Sequence, residues 1–160
     1  MTKESFADII LKNEETFYRV SKSILRSDTD CEDAIHNAVL KAFENLGRLK
    51  REEFFKTWFT RILINECLKI RKENSRYAPE SDTLEALPSG QDGSEDYSEL
   101  YSAISVLPEK LRITVVLFYI EGFRIEEISE ILKIPKGTVK SRLNTGRKRL
   151  KELLEDVYEF

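Results

Sequence analysis

The segment that most restricts the fold lies near the C-terminus, where two apolar patterns flank a short turn. Ile125, Ile128 and Ile131 recur at helical spacing before the turn, and Val139 and Leu143 do so after it. The turn between them, KIPK, carries a proline that helix interiors exclude. This arrangement predicts a helix-turn-helix, the motif whose second helix enters the major groove of DNA.

The second helix of this motif is predicted to have one apolar face and one polar face. At 100° per residue, the apolar stripe that faces the core comprises Val139, Leu143, Gly146, Leu150, Leu153 and Val157. The polar face comprises Lys140, Asn144, Arg147 and Lys151, extended by Ser141 and Lys148 and flanked by Arg142 and Arg149. Such a face offers hydrogen-bonding groups to base edges, with cations beside them for phosphates.

Charge is unevenly distributed along the chain. The net charge is −3 at neutral pH, which by itself argues against binding to phosphates. Yet residues 136–151 contain seven basic side chains and no acidic one. A merely solvated helix usually mixes both signs, so we favour a DNA-reading helix over a solvated basic helix.

The rest of the chain also shows helical patterns. With only 6 Gly and 4 Pro in 160 residues, the composition predicts an all-α fold. Apolar spacing predicts one helix over residues 6–24 and a second over 34–46, after a turn rich in capping residues. A third helix follows, in which Phe54, Trp58 and Ile62 are predicted to face the core. These three helices can bury one another's apolar stripes as a small bundle.

A change of composition divides the chain into two small helical domains. Residues 79–96 hold two Pro, two Gly and six acids, with no basic residue. This predicts a flexible, acidic linker over residues 77–97. The first domain then covers residues 1–76, and the second, which contains the helix-turn-helix, covers 98–160. Within the second domain, Pro108 starts a new helix and Gly122 ends it.

A second polar surface is predicted on the third helix. One arc of that helix carries Arg61, Asn65, Lys69, Lys72 and Arg76. The loop before it, GRLKR, contributes Arg48, Lys50 and Arg51. Such a loop can hold an extruded base beside stacking or polar side chains. On these residues alone, a nucleic-acid surface and an ordinary solvated surface are equally consistent with the pattern.

Several classes of function lack support in the sequence. No apolar stretch is long enough to cross a bilayer and the N-terminus is acidic, which predicts a cytoplasmic protein without membrane insertion. Cys31 and Cys67 lack partners at metal-ligand spacing and are interpreted as reduced, partly buried thiols. His36, the single histidine, has no companion ligand or nucleophile nearby. We therefore expect no catalytic residues, no metal site and no cofactor, and a protein that is not an enzyme.

Three segments carry a resemblance to a known family. The stretch ISVLPEKLRITVVLFYIEGFRIEEISEILKIPKGTVKSRL resembles the promoter-binding C-terminal domain of extracytoplasmic-function sigma factors. DCEDAIHNAVLKAFENL is similar to that family's polymerase-binding helix, and FFKTWFTRILINECLKIRK to its −10 reading helix. The segments come in the family's order with the same intervening linker, and the match spans about residues 17–154. The resemblance implies an alternative sigma factor that binds core RNA polymerase and promoter DNA, together with an anti-sigma partner; we expect the free chain to be a monomer.

The resemblance also implies roles for individual residues. Asp33, His36 and Asn37 would contact the largest polymerase subunit, with His36 where the family usually has Gln. Asn65 and the loop over residues 48–51 would engage the −10 strand. The side chains expected at the −35 duplex are Thr138, Lys140, Ser141, Arg142, Asn144, Thr145 and Arg147, to which the polar face adds Lys148.

Two positions depart from the family pattern. Lys133 stands where the family often has Gly, so a left-handed backbone there would cost about 1 kcal/mol. Asn144 stands where several relatives carry a bulky or basic residue, so their −35 preference does not transfer. The alternative interpretation of the whole chain is a stand-alone helix-turn-helix regulator that binds duplex DNA without polymerase, its first domain serving for dimerisation or sensing.

Overall fold

The computed structural model describes residues 1–77 and 97–158, with side chains described for residues 1–76 and 97–155. Within these ranges every regular element is helical, which confirms the all-α prediction. The helices group into two compact units, one before and one after the segment 78–96. The predicted linker falls almost entirely on that segment, which lies outside the described residues. Among the helices described, none is long and apolar enough to cross a membrane.

The first unit contains four α-helices: α1 (Lys3–Lys12), α2 (Glu14–Lys22), α3 (Asp28–Glu44) and α4 (Phe55–Tyr77). The single helix predicted over residues 6–24 is therefore wrong, because Asn13 separates α1 from α2. The Asn13 backbone leaves the helical region, and its side-chain Nδ2 donates to the Ile9 carbonyl at 2.8 Å. An Asn side chain that bonds the backbone in this way offers an alternative to the helical hydrogen bond and ends the helix.

Helix α4 buries a different face from the one predicted. Phe55, Phe59 and Leu63 are fully buried, whereas Phe54 is 50% exposed and Trp58 is only half-buried. Two apolar stripes, one residue apart, run along this helix, and spacing alone does not choose between them. Packing against α2 and α3 selects the Phe55 stripe, whose rings contact Phe6 and Phe17. The prediction of Phe54, Trp58 and Ile62 as the core face was thus wrong.

The two cysteines lie inside this first core. Cys31 on α3 and Cys67 on α4 are both free thiols without solvent exposure. Burial raises the pKa of Cys31 to about 11 and that of Cys67 to about 12. Both thiols are therefore protonated at neutral pH and unreactive, as expected for cysteines that serve packing.

The second unit contains α5 (Ser98–Ser105), α6 (Glu109–Val115), α7 (Ile125–Leu132) and α8 (Lys136–Tyr158). A single π-helical turn, Val116–Ile120, extends α6. The chain then turns at Gly122 with a φ of 74°, which confirms the predicted break. Of the five residues predicted to seat the helix-turn-helix, Ile125 is half-buried and the others, Ile128, Ile131, Val139 and Leu143, are buried.

The turn between α7 and α8 is built on Lys133. Its backbone is left-handed, with φ 53° and ψ 49°, and its N–H donates to the Ser129 carbonyl. The Ile134 N–H donates to that same carbonyl at 3.2 Å, and the Ser129 hydroxyl donates to the Ile134 carbonyl at 2.6 Å. These bonds stabilise a left-handed backbone that costs a non-glycine residue about 1 kcal/mol. The resemblance had implied this conformation, because the family often has Gly at the position of Lys133.

Close packing between α6 and α8 predicts a strong size limit at Gly146. A Cβ there would lie 2.7 Å from Cγ2 of Val115, a fully buried and β-branched side chain that has little freedom to move. Gly146→Ala should lower the stability of the domain by about 1–3 kcal/mol, although alanine favours helices. The measurement is the midpoint of thermal unfolding.

Gly137, in the first turn of the same helix, is the matched control. A Cβ at Gly137 meets no atom within 4 Å, so Gly137→Ala should leave the midpoint unchanged or raise it. Equal effects of the two substitutions would contradict the close contact between α6 and α8.

Candidate DNA and polymerase interfaces

The outward face of α8 presents polar side chains beside a buried apolar stripe. Val139, Leu143, Gly146 and Leu150 are buried, as predicted for the inward face. Six of the eight residues predicted at the −35 duplex are exposed: Lys140, Ser141, Asn144, Thr145, Arg147 and Lys148. The remaining two, Thr138 and Arg142, are half-buried at its edge. The structure therefore brings the predicted set onto one helix and leaves its hydrogen-bonding groups accessible.

Arg147 has a contact that the sequence did not indicate. Its Nη1 donates to the Tyr119 hydroxyl at 2.8 Å, which ties the guanidinium to the π-helical turn after α6. Arg147 therefore contacts a neighbouring element as well as lying on the exposed face of α8. Its guanidinium keeps further donors for a phosphate or a base.

An apolar groove of about 970 Å³ lies beside Arg147 within the second unit. Its walls come from α5, the end of α6 and α8, and include Leu100, Ile104, Val115 and Leu154. Tyrosines and the charged side chains of Arg147, Lys151 and Glu155 form its rim. Sequence reasoning missed this groove, because its walls come from three helices separated along the chain. An apolar floor with a polar rim suits an amphipathic helix.

The predicted −10 face of α4 is also accessible. Asn65, Lys69, Lys72 and Arg76 are exposed and Arg61 is half-buried. In the preceding loop, Arg48, Lys50 and Arg51 are exposed, and Nη1 of Arg51 contacts Oε1 of Glu53 at 3.3 Å. All seven predicted −10 residues are therefore at least partly exposed.

Part of this face folds around a pocket of about 360 Å³. Of the predicted −10 residues, the pocket brings together Arg48, Arg61 and Asn65. The pocket is also lined by Trp58 and Ile62, which the sequence analysis had placed in the core, and by three residues that it had not singled out: Lys41, Asn45 and Glu66. The mixture of an aromatic ring, amides and cations is the kind of lining that holds an unstacked base.

Glu66 is an acid within this basic surface. Its residue is only 4% exposed, and its Oε2 lies 3.0 Å from Nζ of Lys41 and 3.4 Å from Nζ of Lys69. The hydrogen-bonded cluster with Lys69 and Glu66 raises the pKa of Lys41, so its ammonium stays charged at neutral pH. A buried carboxylate needs such partners, because desolvation of an unpaired charge is costly.

The outward face of α3 carries the residues predicted to meet polymerase. Asp33, His36 and Asn37 are all exposed, at the helical spacing that places them together. Leu40 extends the same face and is 61% exposed, a feature that only the fold reveals. A single exposed leucine is ordinary on a protein surface, so Leu40 adds apolar area to this face but does not by itself mark a contact. Within the part of the chain that the structure describes, His36 belongs to no cluster that could hold a metal.

Comparison with known proteins identifies the family. The Sigma-70 region 2 family matches residues 9–77, and the Sigma-70, region 4 family matches residues 97–150. The ECF RNA polymerase sigma factor SigW of Bacillus subtilis is 30% identical, and the alignment covers 97% of this chain and 91% of SigW. RNA polymerase sigma factor SigV of the same organism is 26% identical over 94% of this chain and 91% of its own length.

Solved structures agree with this assignment. The sigma factor RpoE of Bartonella quintana, in complex with the anti-sigma factor NepR, superposes with a TM-score of 0.80 at 25% identity. That comparison covers 94% of this chain and 96% of RpoE. The two family matches and the relative aligned over nearly its whole length all support the same family. The chain belongs to the extracytoplasmic-function sigma factors of the sigma-70 family and is an alternative RNA polymerase sigma factor.

Proposed function

We propose that this sigma factor acts by binding alone: its first domain docks on core polymerase and captures the −10 strand, while its second domain reads the −35 duplex. The observation that carries this proposal is the presence of two accessible basic faces of different shape. The face of α8 is the exposed side of one helix and suits a groove, whereas the face of α4 borders a pocket that suits one base.

The −35 contact is assigned to α8. Lys140, Asn144 and Lys148 are exposed and present donors and acceptors of the kind that a helix in the major groove offers to base edges. Arg142 and Arg147 on the same helix offer guanidinium groups, which suit contacts with phosphates. Ser141, Thr138 and Thr145 complete the set with hydroxyl groups.

The −10 contact is assigned to α4 and the loop before it. Opening promoter DNA costs a few kcal/mol for each extruded base, which the protein must offset with stacking and polar contacts. The pocket supplies both, because Trp58 and Ile62 offer apolar surface while Arg48, Arg61 and Asn65 offer hydrogen bonds. Four exposed cations of the same loop and helix are assigned to the backbone of the single strand: Lys50, Arg51, Lys69 and Lys72.

An anti-sigma partner is assigned to the apolar groove of the second domain. The solved relative RpoE is in complex with the anti-sigma factor NepR. In this chain, the groove of about 970 Å³ offers a continuous apolar seat with tyrosine hydroxyls and cations at its rim. We therefore propose that an amphipathic helix of an anti-sigma factor occupies it, and that the chain is a cytoplasmic monomer when no partner is bound.

The division into domains leads to a prediction for limited proteolysis. Residues 79–96 contain two Pro, two Gly and six acids with little apolar material, a composition that cannot form a packed core. A protease of broad specificity should therefore cut there first and release two resistant fragments. Mass spectrometry of the first fragments locates the cut. Early cleavage spread evenly over the whole chain would contradict the boundaries at residues 76 and 98.

Copurification with polymerase tests the proposal against a stand-alone regulator. The full chain, incubated with core polymerase, should elute with it during size-exclusion chromatography and should bind free promoter duplex only weakly. A regulator that works without polymerase would bind the duplex tightly and elute apart from core enzyme.

A further inference from the structure

Lys41 joins two surfaces that have separate roles. It lies on α3, the helix whose outward residues are assigned to polymerase, but it also lines the pocket beside α4. Its side chain is about half exposed, at 47%, and long enough to adopt many conformations in solution. Such a side chain contributes to base selection only when something fixes its direction.

Glu66 supplies that constraint. Its carboxylate is nearly excluded from solvent, and Oε2 accepts a hydrogen bond from the Lys41 ammonium at 3.0 Å. Lys69 contacts the same oxygen at 3.4 Å from the next turn of α4. One buried acid thus anchors two cations that belong to different helices, and the cluster keeps a net positive charge.

A carboxylate at this position has an electrostatic cost for DNA binding. The carboxylate lies on the surface proposed to bind the −10 strand, where its negative charge repels phosphates and a neutral side chain would not. Salt bridges of this kind are weak evidence for stability, because desolvation offsets much of their attraction. A geometric role toward the pocket accounts for a buried acid at this position.

We propose that Glu66 is a positioning residue that holds the Lys41 ammonium at the wall of the pocket, where Lys41 selects among unpaired −10 bases. This inference rests on the proposed capture of the −10 strand by the same pocket. Lysine donates hydrogen bonds and accepts none, so a fixed ammonium distinguishes bases by the acceptors they present at that point. Asn45, the residue just after the end of α3, lines the same pocket.

The test measures base preference with the holoenzyme. Core polymerase carrying the full chain transcribes a library of pre-melted templates in which the unpaired −10 strand is randomised. The ratio of transcripts from the best and the worst base is then determined at each position. Glu66→Gln and Lys41→Met should each reduce this ratio by roughly tenfold at the same single position.

A double substitution separates positioning from an independent effect. If Glu66 acts through Lys41, adding Glu66→Gln to Lys41→Met should cause no further loss of preference. Glu66→Asp, which keeps the charge on a shorter side chain, should restore part of the preference. Glu15→Gln is the matched control, because Glu15 forms an ion pair with Arg19 within α2. It should leave every ratio unchanged.

Each outcome decides the inference. A uniform rise in transcription for all bases in Glu66→Gln would mean that Glu66 acts only as a repulsive charge, and would overturn it. Loss of preference at different positions in the two variants would also overturn it. If Glu66→Gln does not fold, the inference is tested with Lys41→Met. An unchanged base preference in Lys41→Met would show that Lys41 does not select the base, and would overturn the inference. A wild-type holoenzyme without any −10 preference would instead remove the proposed function itself.

Discussion

Substitution of Leu40 by Asp, or of Asp33 by Arg, should reduce the affinity for core polymerase by roughly 100-fold or more. Both residues lie on the exposed face of α3 and contribute little to the core of the first domain. Leu40→Asp would remove an apolar contact with polymerase and would bury a charge in the interface. Asp33→Arg would place a cation where polymerase is expected to meet an anion. The measurement is the dissociation constant with core polymerase, beside a circular dichroism spectrum for each variant.

Helix α1 offers matched controls in the same domain. Leu11 is 62% exposed, nearly the same as Leu40, and Asp8 is an exposed acid like Asp33. Leu11→Asp and Asp8→Arg should therefore bind core polymerase like the wild type. Well-folded α3 variants that also bind normally would remove this helix from the interface.

The two DNA contacts should fail in different ways. Asn144→Ala or Lys140→Ala should weaken recognition of the −35 duplex by about 1–3 kcal/mol if the contact is to a base edge. A template that is already unpaired at −10 should not restore activity, because the lost contact is elsewhere. Asn65→Ala should instead reduce promoter opening, since an extruded base loses a polar partner while −35 binding stays intact.

Permanganate footprinting and transcription on paired and pre-melted templates measure this difference. Pre-melting should restore part of the activity of Asn65→Ala and none of that of Asn144→Ala. Asn37→Ala is a useful third variant, because its exposed amide is assigned to polymerase and its defect should appear with both templates. Normal promoter opening by Asn65→Ala would contradict the −10 assignment.

The two long helices illustrate what the sequence could predict. In α8, an apolar stripe lies opposite a basic face, and Val139, Leu143, Gly146 and Leu150 were correctly predicted to be buried. Leu153 is half-buried, and the side chain of Val157 lies outside the described residues. In α4, the Phe54 and Phe55 stripes are both apolar and lie only 100° apart. Only packing against α2 and α3 decides between them, and that information is tertiary.

Features that depend on distant contacts were not predictable in the same way. The break at Asn13 depends on a side chain that bonds its own helix, which spacing of apolar residues does not reveal. The contact between Lys41 and Glu66 joins residues 25 positions apart, and the apolar groove joins three helices of the second domain. The left-handed turn at Lys133 was anticipated only because the family often places glycine there.

Transcription from a genomic promoter library with purified core polymerase tests whether this chain gives polymerase its promoter specificity. We expect core enzyme alone to initiate at none of the specific sites, and addition of the chain to produce transcripts from a small set of promoters. Those promoters should share two sequence elements, one upstream that is read as duplex and one that is opened. Specific binding to duplex DNA by the chain alone, with no transcripts when core polymerase is added, would contradict this role.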